Sequence, residues 1–201
     1  VDALRTLLLY IGEDPTRPGL QETPARVLRA WLEDWGQHIG KGADADVRYK
    51  LLTMFEPSGD PQYNEDLHPV YNQMVAVRDI SFYSHCEHHM APFFGVAHIA
   101  YIPSGRGLIG LSKLARVVDF FSRRLQVQER LTVEIADFLS TELSEHVGVY
   151  LEARHMCMLS RGVMQPYAVT TTTALRGMFL NDSVTHNEFI QSIRSSRANY
   201  A

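Results

Sequence analysis

The run Cys86-Glu87-His88-His89 places a thiol and an imidazole three positions apart, and a second cysteine, Cys157, lies far downstream. That spacing lets Cys86 and His89 converge on one ion, and zinc accepts such borderline ligands in tetrahedral geometry. Cys157 is the only other cysteine and so the natural third ligand. It falls in a stretch that reads as a strand, where residues two apart share a face. His155 would then stand beside the metal without necessarily binding it. Three protein ligands leave a fourth position for water, the arrangement of a catalytic site, whereas a structural zinc closes with four. His88 or His155 could close the shell, so these residues alone leave the two arrangements evenly balanced. The other histidines (His38, His68, His85, His98, His146 and His186) read as structural or solvated.

The background is that of an ordinary globular chain: 201 residues, 45% hydrophobic and 21% charged, with a formal net charge of -4. This composition excludes low complexity and disorder. The mild acidity and the lack of a basic run argue against nucleic acid as a partner. No stretch approaches the ~18 uninterrupted apolar residues of a membrane span, and the opening VDALRTLLLYIGEDP is too acidic for a signal peptide. A cytoplasmic setting follows, where thiols stay reduced and a Cys86–Cys157 disulfide is disfavoured.

Elements that must position these groups are legible from periodicity. Leu4, Leu7, Leu8 and Ile11 make one helical face stopped by Gly12, and Thr23 with Pro24 predicts the start of a second helix carrying Val27, Leu28, Trp31, Leu32 and Trp35. Residues 38–72 show little periodicity. QMVAVRDISFYS and FFGVAHIAYIP read as strands, the second ended by Pro103 and a Ser104-Gly105-Arg106-Gly107 turn. Ser112 is expected to cap a helix with Leu114, Val117, Val118 and Phe121 inward, and a second helix buries Leu131, Ile135, Phe138 and Leu139. GVYLEARHMCML and MQPYAVTTTTAL are further strands, and Thr185 with Glu188 predicts a capping box for a last helix. The pattern is α+β: an antiparallel four-stranded sheet with two helices on one face, preceded by N-terminal helices. We divide the chain into a helical segment, 1–72, and a catalytic domain, 73–201.

Several of these segments together resemble the GTP cyclohydrolase I family. QMVAVRDISFYSHCEHH at 73–89, GLSK at 110–113, SRRLQVQERLT at 122–132, His155-Met156-Cys157 with Arg161-Gly162-Val163, and TTTT at 170–173 are similar to family motifs in the family's order. The resemblance covers almost the whole chain. It implies a tunnelling fold, with sheets of several subunits joined into a barrel, a homodecamer, and active sites between subunits. It implies zinc-dependent hydrolysis of GTP to formate and 7,8-dihydroneopterin triphosphate, the first step of folate and pterin biosynthesis.

By matching position, Cys86, His89 and Cys157 resemble the zinc ligands, and His88 and His155 the residues that handle protons. Glu129, with Gln128 beside it, resembles the guanine anchor, and Ser112, Lys113, Arg116 and Arg161 the triphosphate contacts. Glu129 could otherwise be a plain first-turn acid, Ser112 a plain cap, and Arg161 a surface ion pair; Glu87 reads as a partner of a ligand histidine or as solvated. The alternative function is a purine- or pterin-binding protein of the same fold, non-catalytic or with another reaction, holding a structural zinc. No chemistry attaches to the TTTT run itself.

Overall fold

The computed structural model describes residues 1–42, 44–52, 54–55, 71–103 and 108–196; the turn expected at 104–107 lies outside them. The chain begins with α1 (Asp2–Tyr10) and α2 (Thr23–Ala30), which runs into a π-helical turn (Trp31–Trp35), then α3 (Ala45–Leu51) and the short β1 (Met54–Phe55). The sheet elements follow: β2 (Val75–Cys86), β3 (Pro92–Tyr101), β4 (Leu108–Ile109), α4 (Leu111–Ser122), β5 (Leu125–Gln126), α5 (Gln128–Glu142), β6 (Val147–His155), the one-turn α6 (Met156–Leu159) and β7 (Thr170–Arg176). The last helices are α7 (Met178–Asn181) and α8 (Ser183–Ser196).

The main sheet has the order β5-β2-β3-β6-β7. Its four long strands are antiparallel, as the two strand pairs in the sequence predict; β5 is an addition, two residues running parallel to the end of β2. On one face Phe93, Ala97, Ile99 and Tyr101 of β3 and Val147, Val149, Leu151 and Ala153 of β6 form a core with α4 and α5. The helical contribution is the set the 3.6-residue period selects: Leu114, Val117, Val118, Leu131, Ile135 and Leu139 are fully buried. Leu51 of α3 joins the same core. On the opposite face Phe179, Phe189 and Ile193 cover Ala100 at one end of the sheet.

Local starts and stops differ from expectation in three places. Glu22, not Thr23, precedes α2, and Gly110, not Ser112, is the N-cap of α4, which puts Ser112 inside the first turn. Asp182, not Thr185, starts α8: its Oδ2 accepts from Thr185 N at 2.8 Å and from Thr185 Oγ1 at 2.6 Å. An ionised carboxylate can accept both bonds at once, whereas a hydroxyl satisfies one orphan N–H. Strand β2 carries a bulge between Val77 and Ile80, where Asp79 has φ +58°. No residue of α1 is fully buried within this chain, though Leu4 and Leu8 are half-buried.

The cap predicts a pH dependence. Bonds from the Thr185 hydroxyl, then its amide, hold the Asp182 carboxyl below its ordinary value. A depressed carboxylate stabilises the fold above its unfolded value of about 3.9 and loses that contribution as pH falls through the folded one. Asp182→Ala should therefore lower the thermal midpoint at neutral pH, and the gap to the parent should close as pH falls through the depressed folded value. A gap that stays constant with pH would remove the charged cap from the account.

Candidate active site

Sheet register brings the ligand candidates together. Ser84, Phe93 and His155 lie in one row across β2, β3 and β6, so β2 and β6 end level with each other on either side of the start of β3. Those two strands are about 10 Å apart, since adjacent strands are spaced at ~4.8 Å. A tight turn after β2 and the helical turn α6 after β6 close most of this gap. In the turn, Met90 N and His89 N both donate to Cys86 O, at 2.7 and 3.3 Å, and Met90 takes φ +52°. Cys157 sits in α6, not on the strand expected for it: β6 stops at His155.

The ligand atoms of Cys86, His89 and Cys157 all lie within 4.8 Å of one another. Cys86 Sγ and His89 Nδ1 are 3.9 Å apart, close to the ~3.5–3.8 Å edge of a tetrahedron built on Zn–S and Zn–N bonds of ~2.3 and ~2.0 Å. His88 Nδ1 also lies 3.9 Å from Cys86 Sγ, but the three-way convergence among the described residues does not include it. Burial pushes the Cys157 thiol above its ordinary value, and the charge and hydrogen bond of Cys86 push it further; Arg161 opposes them. Two thiolates so placed need a cation between them, which is what the donor set would hold.

Beside the cluster, His155 is half-buried and fixed on two sides. Its ring stacks on that of Phe93, with centroids 4.6 Å apart and planes 2° apart. Its Nε2 lies 2.7 Å from Gln128 Oε1. Burial holds the imidazole below its ordinary value, toward the neutral ring, against the opposing charge of Glu129. Gln128 is almost wholly buried at the start of α5, whereas Glu129 next to it is exposed. Glu87 pairs with Arg130 Nη2 at 2.5 Å rather than with a ligand histidine, which keeps its carboxylate below the ordinary range.

The triphosphate candidates lie on separate elements. Ser112 and Lys113 occupy the first turn of α4, where backbone N–H groups and the helix dipole favour an anion. Arg116 lines a small basic hollow of about 320 Å³ with His38, Lys41 and Lys50. Arg161 is exposed in the turn after α6, its charge felt at Cys157. A larger groove of about 1010 Å³, lined by Leu7, Trp31, Trp35, Tyr83 and Phe94 among others, passes close to the cluster; its apolar wall suits no triphosphate. His85, read from sequence as structural or solvated, is buried against the rings of Trp31 and Trp35, at 4.6 and 5.1 Å, which themselves meet edge to face at 5.7 Å.

A Cys–His–Cys donor set that could hold a metal, with a neutral-leaning histidine at its edge and an anion-favouring helix start in the same α+β unit, is the kind of site that metal-using hydrolytic enzymes carry. The chain belongs to the GTP cyclohydrolase I family, whose model matches residues 1–194. It is 50% identical over 193 residues to GTP cyclohydrolase 1 of Aquifex aeolicus, covering 96% of this chain and 94% of that one. It is 47% identical over 195 residues to the enzyme of the same name from Bartonella quintana (96% and 87%) and 47% identical over 194 residues to that of Corynebacterium glutamicum (96% and 90%). The chain is thus a GTP cyclohydrolase I enzyme, acting on GTP in the first step of folate and pterin biosynthesis.

This geometry separates ligand from neighbour. Cys157→Ala should lose bound metal in an elemental analysis of the purified protein, whereas His155→Ala should retain about one equivalent per chain. A His155→Ala protein purified empty would place His155 among the ligands.

Proposed function

We propose that this chain converts GTP to formate and 7,8-dihydroneopterin triphosphate at the Cys86, His89 and Cys157 cluster, with zinc as the metal and His155 and His88 as the groups that move protons. The observation that carries the assignment is the convergence of three donors, and only three, among the described residues. When bound, zinc supplies a water acidified to a pKa of about 7, a nucleophile strong enough for the weakly electrophilic C8 of guanine.

The protein's own groups do the rest. Attack at C8 places charge on the imidazole ring of guanine, and a histidine can deliver a proton there because its ordinary pKa is near 6.5. His155, held toward its neutral form by burial, is suited to take a proton and return it in the following ring-opening step. Glu129 presents an exposed carboxylate that can accept from N1–H and the 2-amino group of guanine together, a pair adenine lacks. Ser112 and Lys113 receive phosphate at the start of α4, with Arg116 and Arg161 supplying further charge. The chain divides into an N-terminal segment, 1–72, and a catalytic part, 73–201, with Leu51 of α3 in the first joining the core of the second.

The assembly is a homodecamer in which sheets join edge to edge and active sites lie between subunits. Supporting this, β7 and most of β2 form open edges of a long sheet, which proteins rarely leave exposed. No helix among the described residues is long and apolar enough to cross a membrane. A reducing cytoplasm is the setting in which both free cysteines remain available as ligands.

Incubation with GTP should produce the ultraviolet spectrum of a dihydropterin, and pretreatment with a chelator should abolish it while leaving most of the fold in place by circular dichroism. Glu129→Ala should raise the KM for GTP about 10–100-fold, the loss of hydrogen bonds to a charged group. Loss of the fold on chelation, with no product from loaded protein, would favour a structural zinc in a binding protein.

A further inference from the structure

The carboxamide of Gln128 faces inward from the first turn of α5, and every polar atom it carries is engaged inside the fold. Its Nε2 donates to Thr170 O at 3.0 Å and to Thr172 Oγ1 at 3.1 Å, with Leu151 O at 3.4 Å sharing the first proton. Its Oε1 lies 2.7 Å from His155 Nε2. Two carbonyl oxygens beside the nitrogen decide which way the amide points, because a carbonyl cannot donate. Turning the amide over would set an oxygen against both of them.

The threonines fix the remaining directions. Thr132 Oγ1 spends its one proton on Gln128 O, at 2.7 Å. In the 2.6 Å contact between Thr132 Oγ1 and Thr172 Oγ1, Thr172 must therefore be the donor. Its lone pairs are then free to accept from Gln128 Nε2. The chain of bonds closes on itself: Gln128 amide to Thr172, Thr172 to Thr132, Thr132 to the Gln128 backbone. Both Gln128 and Thr132 are 1% exposed, so water cannot substitute for a missing member without cost.

We infer that Gln128, oriented by Thr172 and Thr132, is a positioning residue that holds the His155 ring in one rotation and in the tautomer with its proton on Nε2. Phe93 fixes the plane of that ring from one face, and Gln128 fixes its rotation within the plane. The assignment rests on the proton-handling role of His155 proposed above. It gives Gln128 a different task from Glu129, its neighbour in sequence: with its donors and acceptor spent in the fold, Gln128 acts on the reaction through His155. It also gives the third threonine of the TTTT run a purpose beyond strand formation, since Thr172 sets the amide that sets the histidine.

The test uses the full-length zinc-loaded enzyme and three variants, Gln128→Met, Thr172→Val and Thr172→Ser. Gln128→Met keeps length and apolar volume while removing every hydrogen bond of the amide. The expected result is a kcat about 10–100-fold lower, the scale seen when a group orienting a functional histidine is lost, with KM for GTP within about threefold of the parent. Thr172→Val should fall in the same direction by a smaller factor, and Thr172→Ser should restore it. The 15N shifts of labelled histidine, with His155 assigned by its absence from His155→Asn, should show the Nε2–H tautomer in the parent and a mixture in Gln128→Met and Thr172→Val. A KM raised tenfold or more at unchanged kcat would overturn the inference and return Gln128 to the guanine pocket. An unaltered tautomer in both variants would overturn it as well. A changed tautomer at unchanged kcat would uphold the hold on His155 and sink its proton-handling role instead. If Gln128→Met fails to fold, the valine and serine pair at 172 decides.

Discussion

Everything in this molecule depends on bringing two thiolates and an imidazole to one point from strands that are not neighbours. Left alone, two thiolates repel each other, and burial raises the cost of each charge. The fold supplies the alignment: β3 lies between β2 and β6 and makes their ends level. The two short turns beyond those ends do the closing. A displacement of one residue in either pairing would turn Cys86, at the end of β2, or His155, at the end of β6, to the other face of the sheet. The long antiparallel ladders are thus what makes the ligand geometry non-negotiable, and the core under them, from Phe93 to Leu139, is what keeps the ladders in register.

The same row of residues organises the chemistry around the metal position. Phe93, fully buried at the start of β3, carries the stacked ring of His155 on β6. α5 packs on that face and delivers Gln128 to the edge of the ring and Glu129 to the solvent side in successive residues. Helical geometry separates consecutive side chains by about 100°, so one buried and one exposed polar group can follow each other in a single turn. In the proposed function one helix start therefore serves both the histidine and the substrate base, and the start of α4, where Ser112 and Lys113 lie, is the proposed phosphate site.

Much of this was legible in the sequence. The strands and the inward faces of α4 and α5 follow from periodicities of 2 and 3.6, and Cys86, His89 and Cys157 follow from being soft donors in a chain with only two cysteines. What stayed hidden depends on contacts between distant segments. Thr172 and Gln128 are 44 positions apart, and nothing in either local pattern marks a buried amide. The three-ring cluster of Trp31, Trp35 and His85 requires a π-helical turn that no periodicity announces. Cys157 followed a convincing strand pattern, yet β6 ends two residues earlier; the helical turn there swings the thiol toward the cluster. Thr23, Ser112 and Thr185 each stand near a helix start, but an acid or a glycine one to three positions before them (Glu22, Gly110, Asp182) occupies the cap position.

The central claim is that three protein ligands, two sulfurs and one imidazole, hold the metal and leave one position to solvent. X-ray absorption at the zinc edge of the loaded, substrate-free enzyme tests it directly. The account predicts two sulfurs at about 2.3 Å, one imidazole with its outer-ring scattering, and one further oxygen at about 2.0–2.2 Å. Outer-ring scattering from two imidazoles, with no room for a solvent oxygen, would mean that His88 or His155 closes the shell and that the site is structural.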